Sequence, residues 1–196
     1  MSTVRTITLA DVAMPRVGLV RNALLVVGAS VVTALVAQIA IPVPWSPVPL
    51  TGQTFAVLLS GAVLGARRAF LAQALYLAEG AMGLPVFAGG AAGLATFVGP
   101  TGGYLAAFPF AAALTGALAE RGWDRRFVTM MAAMLLGSAV FFALGLIQLS
   151  RFVQPGQLLA AGLLPFVPGD LVKSALASLA FPYLWRLAHE RGGIGA

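Results

Sequence analysis

Apolar residues fall into six long runs along this chain, separated by short breaks that carry glycine, proline or arginine. A helix that crosses a bilayer needs roughly 20 such residues, with about 17 as a practical minimum. The candidate spans are Leu19–Ile41, Val48–Gly65, Arg68–Gly83, Thr101–Leu118, Phe127–Leu149 and Gly169–His189. The second, third and fourth are short, and their ends merge into the connections. The first follows Arg16 and Arg21 much as a secretory signal would. Its length of about 20 residues exceeds a signal core of about 7–15, so it reads as a membrane helix. The pattern predicts an all-α integral membrane bundle of six helices, in one domain covering residues 1–196.

Composition supports that class. The 196 residues are 60% hydrophobic and only 9% charged, whereas a soluble domain carries about 25% charge. The chain has no room for a nucleotide-binding domain and no G-x-x-x-x-G-K-[ST] loop, so any use of ATP falls to a partner. Of twelve basic residues, Arg5, Arg16, Arg21, Arg67, Arg68, Arg121, Arg125, Arg126, Arg186 and Arg191 all fall on one side if both termini are cytoplasmic. Arg151 lies on the other side and Lys173 within a span. That bias matches the rule that cytoplasmic loops are arginine- and lysine-rich. It also explains the pI of 11.1 without invoking nucleic acid. Cysteine is absent, which excludes disulfides, thiolate catalysis and cysteine-bound metals.

Two connections on the other side are uncharged. One runs from Ile41 to Gln53 and is rich in proline; the other, Leu84 to Gly103, is rich in glycine. Regular helix is broken there, yet the residues are too apolar for solvated loops. Non-helical backbone at membrane depth must be buried in protein or line a cavity. Both segments are therefore expected to fold back over the helix ends as a lid or pocket wall; tight glycine-pinned loops are the simpler alternative.

Asp170 and Lys173 stand one helical turn apart in Phe166-Val-Pro-Gly-Asp-Leu-Val-Lys173. Charges within a membrane segment are rare and mark ligand sites, ion paths or structural pairs. One reading is a helix cap at Asp170 partnered by Lys173, since a carboxylate suits a helix amino terminus. The other is a ligand clamp, with Asp170 accepting N–H groups and Lys173 donating to an oxygen. Thr51, Gln53 and Tyr104 fall at the same depth, and Trp45 and Phe87 offer flat faces nearby. Glu79 lies in the third span with its role open. His189 is the sole histidine and belongs to the tail, so no serine–histidine couple or histidine-bound intramembrane metal is available, and Ser60 reads as a packing serine. The first span carries the ladders Ala29/Thr33/Ala37 and Ser30/Ala34. Small residues four apart let helices approach closely, which serves internal packing or docking of a partner protein.

Four strings taken together carry a resemblance: Pro47-Val-Pro-Leu-Thr-Gly-Gln-Thr54, Gly83-Leu-Pro-Val-Phe-Ala-Gly-Gly90, Gly99-Pro-Thr-Gly-Gly-Tyr104 and Pro168-Gly-Asp-Leu-Val-Lys173. The chain resembles the BioY family, the substrate-binding S components of energy-coupling-factor (ECF) biotin transporters, from about Val20 to Arg186. The resemblance implies a six-helix S-component fold with both termini cytoplasmic. It also implies biotin as ligand, held near the outer face under the two uncharged connections, with no cofactor. The family's acid and lysine map onto Asp170 and Lys173, its glutamine onto Gln53 and its tyrosine onto Tyr104. Some relatives place an arginine soon after that tyrosine. Here Leu105-Ala-Ala-Phe108 follows, which leaves Lys173 as the main candidate for the biotin carboxylate.

The expected function is biotin binding and uptake across the bacterial cytoplasmic membrane, not enzymatic catalysis. The expected partners are an ECF transmembrane protein and two cytosolic ABC-type ATPases, alongside membrane lipid and a possible homo-oligomer. A solitary or self-associated biotin carrier is the alternative. A proton-coupled carrier using Asp170 and Glu79 would need a polar path to the cytoplasm, whereas the inner halves of the spans read as nearly all Leu, Ala, Val and Phe.

Overall fold

A computed structural model describes residues 8–13 and 18–192. Arg5 and Arg16, counted above with the cytoplasmic basic residues, lie outside the described residues, as do both chain ends. The fold is mostly helical. Its elements are α1 (Leu9–Ala13), α2 (Leu19–Ala37), β1 (Ala40–Ile41), β2 (Leu50–Thr51), α3 (Gln53–Leu64), α4 (Ala66–Ala81), α5 (Ala95–Val98), α6 (Gly102–Ala119), α7 (Phe127–Leu149), α8 (Leu158–Gly162) and α9 (Val167–Gly192). The expected all-α chain thus carries one small antiparallel ribbon, in which Ala40 faces Thr51 and Ile41 faces Leu50.

Among the described residues, four stretches are long and apolar enough to cross a membrane: Leu19–Ala37, Gly102–Ala119, Phe127–Leu149 and Pro155–Ala188. The second and third predicted spans become shorter helices, α3 with 12 residues and α4 with 16. At 1.5 Å per residue, α3 is only about 18 Å long against an apolar core of about 30 Å. The residues predicted to begin it, Val48 to Thr51, instead belong to the proline-rich connection and its ribbon. Proline lacks the N–H that a helix interior needs, and Pro47 and Pro49 keep this segment out of α3. The first span likewise ends at Ala37 rather than Ile41. This shortfall at one end of the bundle is where the loops fold in.

The central helix is α6, buried along most of its length against α3, α4 and α7. Close approach depends on missing side chains. A Cβ at Gly61 would lie 2.4 Å from the Ala112 carbonyl, and one at Gly116 would lie 2.5 Å from the Ala66 nitrogen. Between α3 and α4 the chain reverses through Gly65 alone, at φ +81°, a conformation that favours glycine. The Glu120 carboxylate accepts the Ala66 N–H at 2.9 Å, satisfying a free donor at the start of α4. Leucine, valine and phenylalanine side chains remain exposed around the outside of the bundle, from Leu19 on α2 to Leu184 on α9. That surface suits lipid, not water.

The ladder on α2 is taken up by internal packing. Ser30, Thr33 and Ala37 are fully buried, and Ala29 and Ala34 lean on the same core. Ser30 Oγ donates to Glu79 on α4, and Gln73 Nε2 of α4 donates to Thr33 Oγ1 at 3.1 Å and Ser60 Oγ at 3.0 Å. Hydrogen bonds and small side chains on this face serve the α2–α4 contact, the internal-packing reading of the ladder. The same cluster shows that the interior is less uniformly apolar than its composition suggests.

The arginine-bearing end is tied by one carboxylate. Asp11 on α1 accepts Arg21 and Arg68, each at 2.8 Å, while Thr8 caps α1 through the same group. Burial alone would raise this carboxyl, but the bonds from Arg68, Thr8 and Arg21 outweigh it and hold it well below the ordinary carboxylate range. Nearby, Trp185 donates to Asp124 and the Arg125 guanidinium lies 4.7 Å over the Trp185 ring. Because the folded-state pKa of Asp11 is depressed, its contribution is fully present above the unfolded value near ~4 and is lost as pH falls through the folded one. Asp11→Asn should therefore unfold at a lower temperature than the parent at pH 7, and the gap should narrow on acidification to about pH 3. A gap independent of pH, in thermal unfolding of detergent-solubilised protein, would assign Asp11 no such role.

Candidate ligand-binding site

At the end opposite the arginines, a cavity of about 250 Å³ opens between α3, α6, α7 and α9 beneath the two uncharged connections. Residues 48–51 form one wall. Phe87, Ala88, Ala91 and Thr96 of the glycine-rich connection form another. Both connections thus form the pocket wall expected of them. They are also fastened. Ser46 Oγ donates to the Ala161 carbonyl at 2.6 Å, joining the first connection to α8. Gln148 Nε2 holds the Phe97 and Gly99 carbonyls of the second at 2.7 Å each.

The cavity is aromatic and apolar with a few polar groups. Phe87 is buried against Gly80, where a Cβ would fall 2.0 Å from the ring. It meets Tyr76 edge-on at 5.5 Å and Phe97 at 5.6 Å. Phe108, Phe141, Phe142 and Phe166 complete the lining. These four phenylalanines escaped sequence reasoning because their runs are uniformly apolar, so no periodic signal separates a cavity-facing ring from a lipid-facing one.

Of the predicted residues, Asp170, Lys173, Tyr104, Gln53, Thr51 and Phe87 are brought together on this cavity. Asp170 lies in the first turns of α9, not at its cap. Its own N–H bonds the Phe166 carbonyl at 2.9 Å, and its Oδ1 accepts Ser138 Oγ of α7 at 2.9 Å. No hydrogen bond reaches its Oδ2 among the described residues, although Asp170 is only 8% exposed. Lys173 does not pair with it. Its ammonium donates to the Thr51 carbonyl at 2.8 Å, joining α9 to β2. The capping reading with an Asp170–Lys173 ion pair is thereby replaced by two separately held charges.

Gln53 and Tyr104 have structural commitments of their own. Gln53 Nε2 donates to the Tyr76 hydroxyl, which donates in turn to the Val86 carbonyl at 3.0 Å. That relay fastens the glycine-rich connection to α3. The Tyr104 hydroxyl donates to the Gly162 carbonyl at 2.7 Å, and its ring packs where a Gly145 side chain would otherwise stand. Each still presents part of its surface to the cavity.

Trp45 and Glu79 lie off the cavity. The turn at residues 44–45 directs Val43 and Val48 inward and leaves Trp45 68% exposed. On α4, Tyr76 and Gly80 take the pocket side, so Glu79, one position from Gly80, turns to α2 and accepts Ser30. Glu79 is therefore bonded to Ser30 and stands off the cavity that Asp170 lines.

The BioY family profile matches residues 5–190. A biotin transporter BioY of Thermotoga maritima is 41% identical over 165 residues, covering 83% of this chain and 96% of its own. One of Rhizobium etli is 37% identical over 159 residues, covering 77% and 85%. Among solved structures, the S-component for biotin from an ECF-type ABC transporter superposes with a TM-score of 0.74 at 26% identity, over 85% of this chain and 92% of that one.

Two substitutions separate the parts of the Tyr104 seat. Tyr104→Phe removes only the bond to Gly162 and should cost about 1 kcal/mol of stability. Gly145→Val drives a side chain into the ring and should cost about 1–3 kcal/mol. Thermal unfolding in detergent measures both; a Gly145→Val protein as stable as the parent would contradict the packing described.

Proposed function

The chain belongs to the BioY family, and from that premise we propose that it binds biotin and serves its uptake across a membrane. It is a multi-pass membrane transport protein, not an enzyme. We read its helices α2, α3, α4, α6, α7 and α9 as six spans in one domain. The arginine-bearing end and both termini are assigned to the cytoplasm, and the membrane is the bacterial inner one. Arg67, Arg68, Arg121, Arg125, Arg126 and Arg186 cluster at that end, which supports the orientation. The cavity then faces outward.

One observation carries the ligand assignment: a buried aspartate at the cavity wall with an oxygen that no protein donor reaches. That oxygen opens onto the cavity, where a ligand N–H can bond it. Biotin supplies two such groups on its cyclic urea, an apolar sulfur ring for the phenylalanine lining and a carboxylate for a cation. Lys173, held at Thr51 with further N–H groups to donate, is the cation we assign to an oxygen of the ligand. Gln53, Thr51, Tyr104 and Phe87 are proposed as supporting contacts. Small-molecule pockets commonly combine apolar walls with a few convergent polar groups.

For delivery, we assign an integral ECF partner and two ATPases, because the chain carries no nucleotide-binding loop of its own. The S-component match supports this over a solitary carrier.

Titration calorimetry of the purified protein with biotin, with thiamine and riboflavin as controls, tests the reading; one biotin per chain and neither control is expected. Asp170→Asn should weaken biotin by about 1–3 kcal/mol, the cost of a poorly matched buried polar contact. Unchanged affinity in that variant, with its unfolding temperature preserved, would remove Asp170 from the site.

A further inference from the structure

Off the cavity wall, but bonded to Asp170 on it, stands Ser138. It is 2% exposed in the middle of α7. A serine inside an apolar helix ordinarily bonds a carbonyl of its own helix one turn back. Ser60, Thr33 and Ser178 do so, on the carbonyls of Val57, Ala29 and Ser174. Ser138, like Ser30, differs. Its Oγ donates across the helix interface to Asp170 Oδ1 at 2.9 Å.

That bond has a geometric consequence. A carboxylate on a helix can swing about its side-chain torsions, and a lysine one turn on is its natural partner. In this site the pair stays apart. Asp170 is held from α7, and Lys173 is drawn to the Thr51 carbonyl on β2. With Oδ1 fixed, Oδ2 is left as the open acceptor. The α7 backbone beside Ser138 is itself seated firmly: a Cβ at Gly137 would lie 2.3 Å from Thr115 Oγ1 and 2.5 Å from Leu58 Cδ2. The donor therefore has little freedom to follow the carboxylate if it moves.

We propose that Ser138 is a positioning residue for ligand binding: it locks Asp170 away from Lys173, so that the empty pocket already presents a separate acceptor and donor. This rests on the biotin reading above. It assigns Ser138 a share of the affinity although it does not contact the ligand. The affinity comes from preorganisation, since a collapsed Asp170–Lys173 pair would have to be broken before biotin could bind.

A double-mutant cycle on the intact purified chain tests this, read by biotin titration and by thermal unfolding. Ser138→Ala should lower biotin affinity roughly tenfold, the loss of one hydrogen bond to a charged group, with little change in unfolding temperature. Ser138→Thr, which keeps the hydroxyl, should recover most of that loss. In an Asp170→Ala background Ser138→Ala should cost no further affinity, because the group it acts through is gone; alanine is chosen since asparagine would still accept from Ser138. Parental affinity in Ser138→Ala would overturn the proposal. So would an equal fold-loss in both backgrounds, which marks independent effects. Failure of the parent protein to bind biotin at all would overturn the biotin reading itself, a result distinct from either.

Discussion

Ionisable groups are costly inside an apolar bundle, and the outer architecture of this one is arranged around two. Asp170 and Lys173 are held by different partners on different elements, Ser138 on α7 and the Thr51 carbonyl on β2. Had they closed on each other, neither would be open to a ligand. Kept apart, they add a separate acceptor and donor to an otherwise largely apolar lining. Buried ion pairs are weak contributors to stability because desolvation offsets their attraction. A charge divided in this way is better explained by what it binds than by what it holds together.

The remaining structure at this end can be understood as support for that division. Because the helical part of α3 covers only part of the apolar thickness, the residues before it descend as a ribbon and bring the Thr51 carbonyl to Lys173. Gly80 and Gly145 are each overlaid by an aromatic ring, Phe87 and Tyr104 respectively, and the Tyr104 hydroxyl reaches the Gly162 carbonyl. Gln53, through Tyr76, and Gln148 then fix the glycine-rich connection by its carbonyls. At the other end the fastening is ionic, with Asp11 between Arg21 and Arg68. The two ends are thus fastened by different means.

Much of this was legible in the chain itself, and the exceptions have physical causes. Uncharged connections rich in proline and glycine announced a folded-back wall, and six of eight proposed ligand residues line the cavity. Trp45 and Glu79 do not. Depth along a span can be read from sequence, but the direction a side chain faces depends on turns and neighbours that arise only in the fold. The α2 ladder marks close contact by its four-residue spacing without naming the contacting helix, which here is α4. Ser138 was invisible because a serine in an apolar run is ordinarily a helix-bonding serine, and only its partner makes it otherwise.

The most direct measurement is a structure of this protein with biotin bound. A urea nitrogen within about 3 Å of Asp170 Oδ2, with Ser138 still bonded to Oδ1 and the two connections closed over the ligand, is the predicted result. Biotin seated elsewhere, or Asp170 turned onto Lys173 with the ligand in place, would contradict the account at its root.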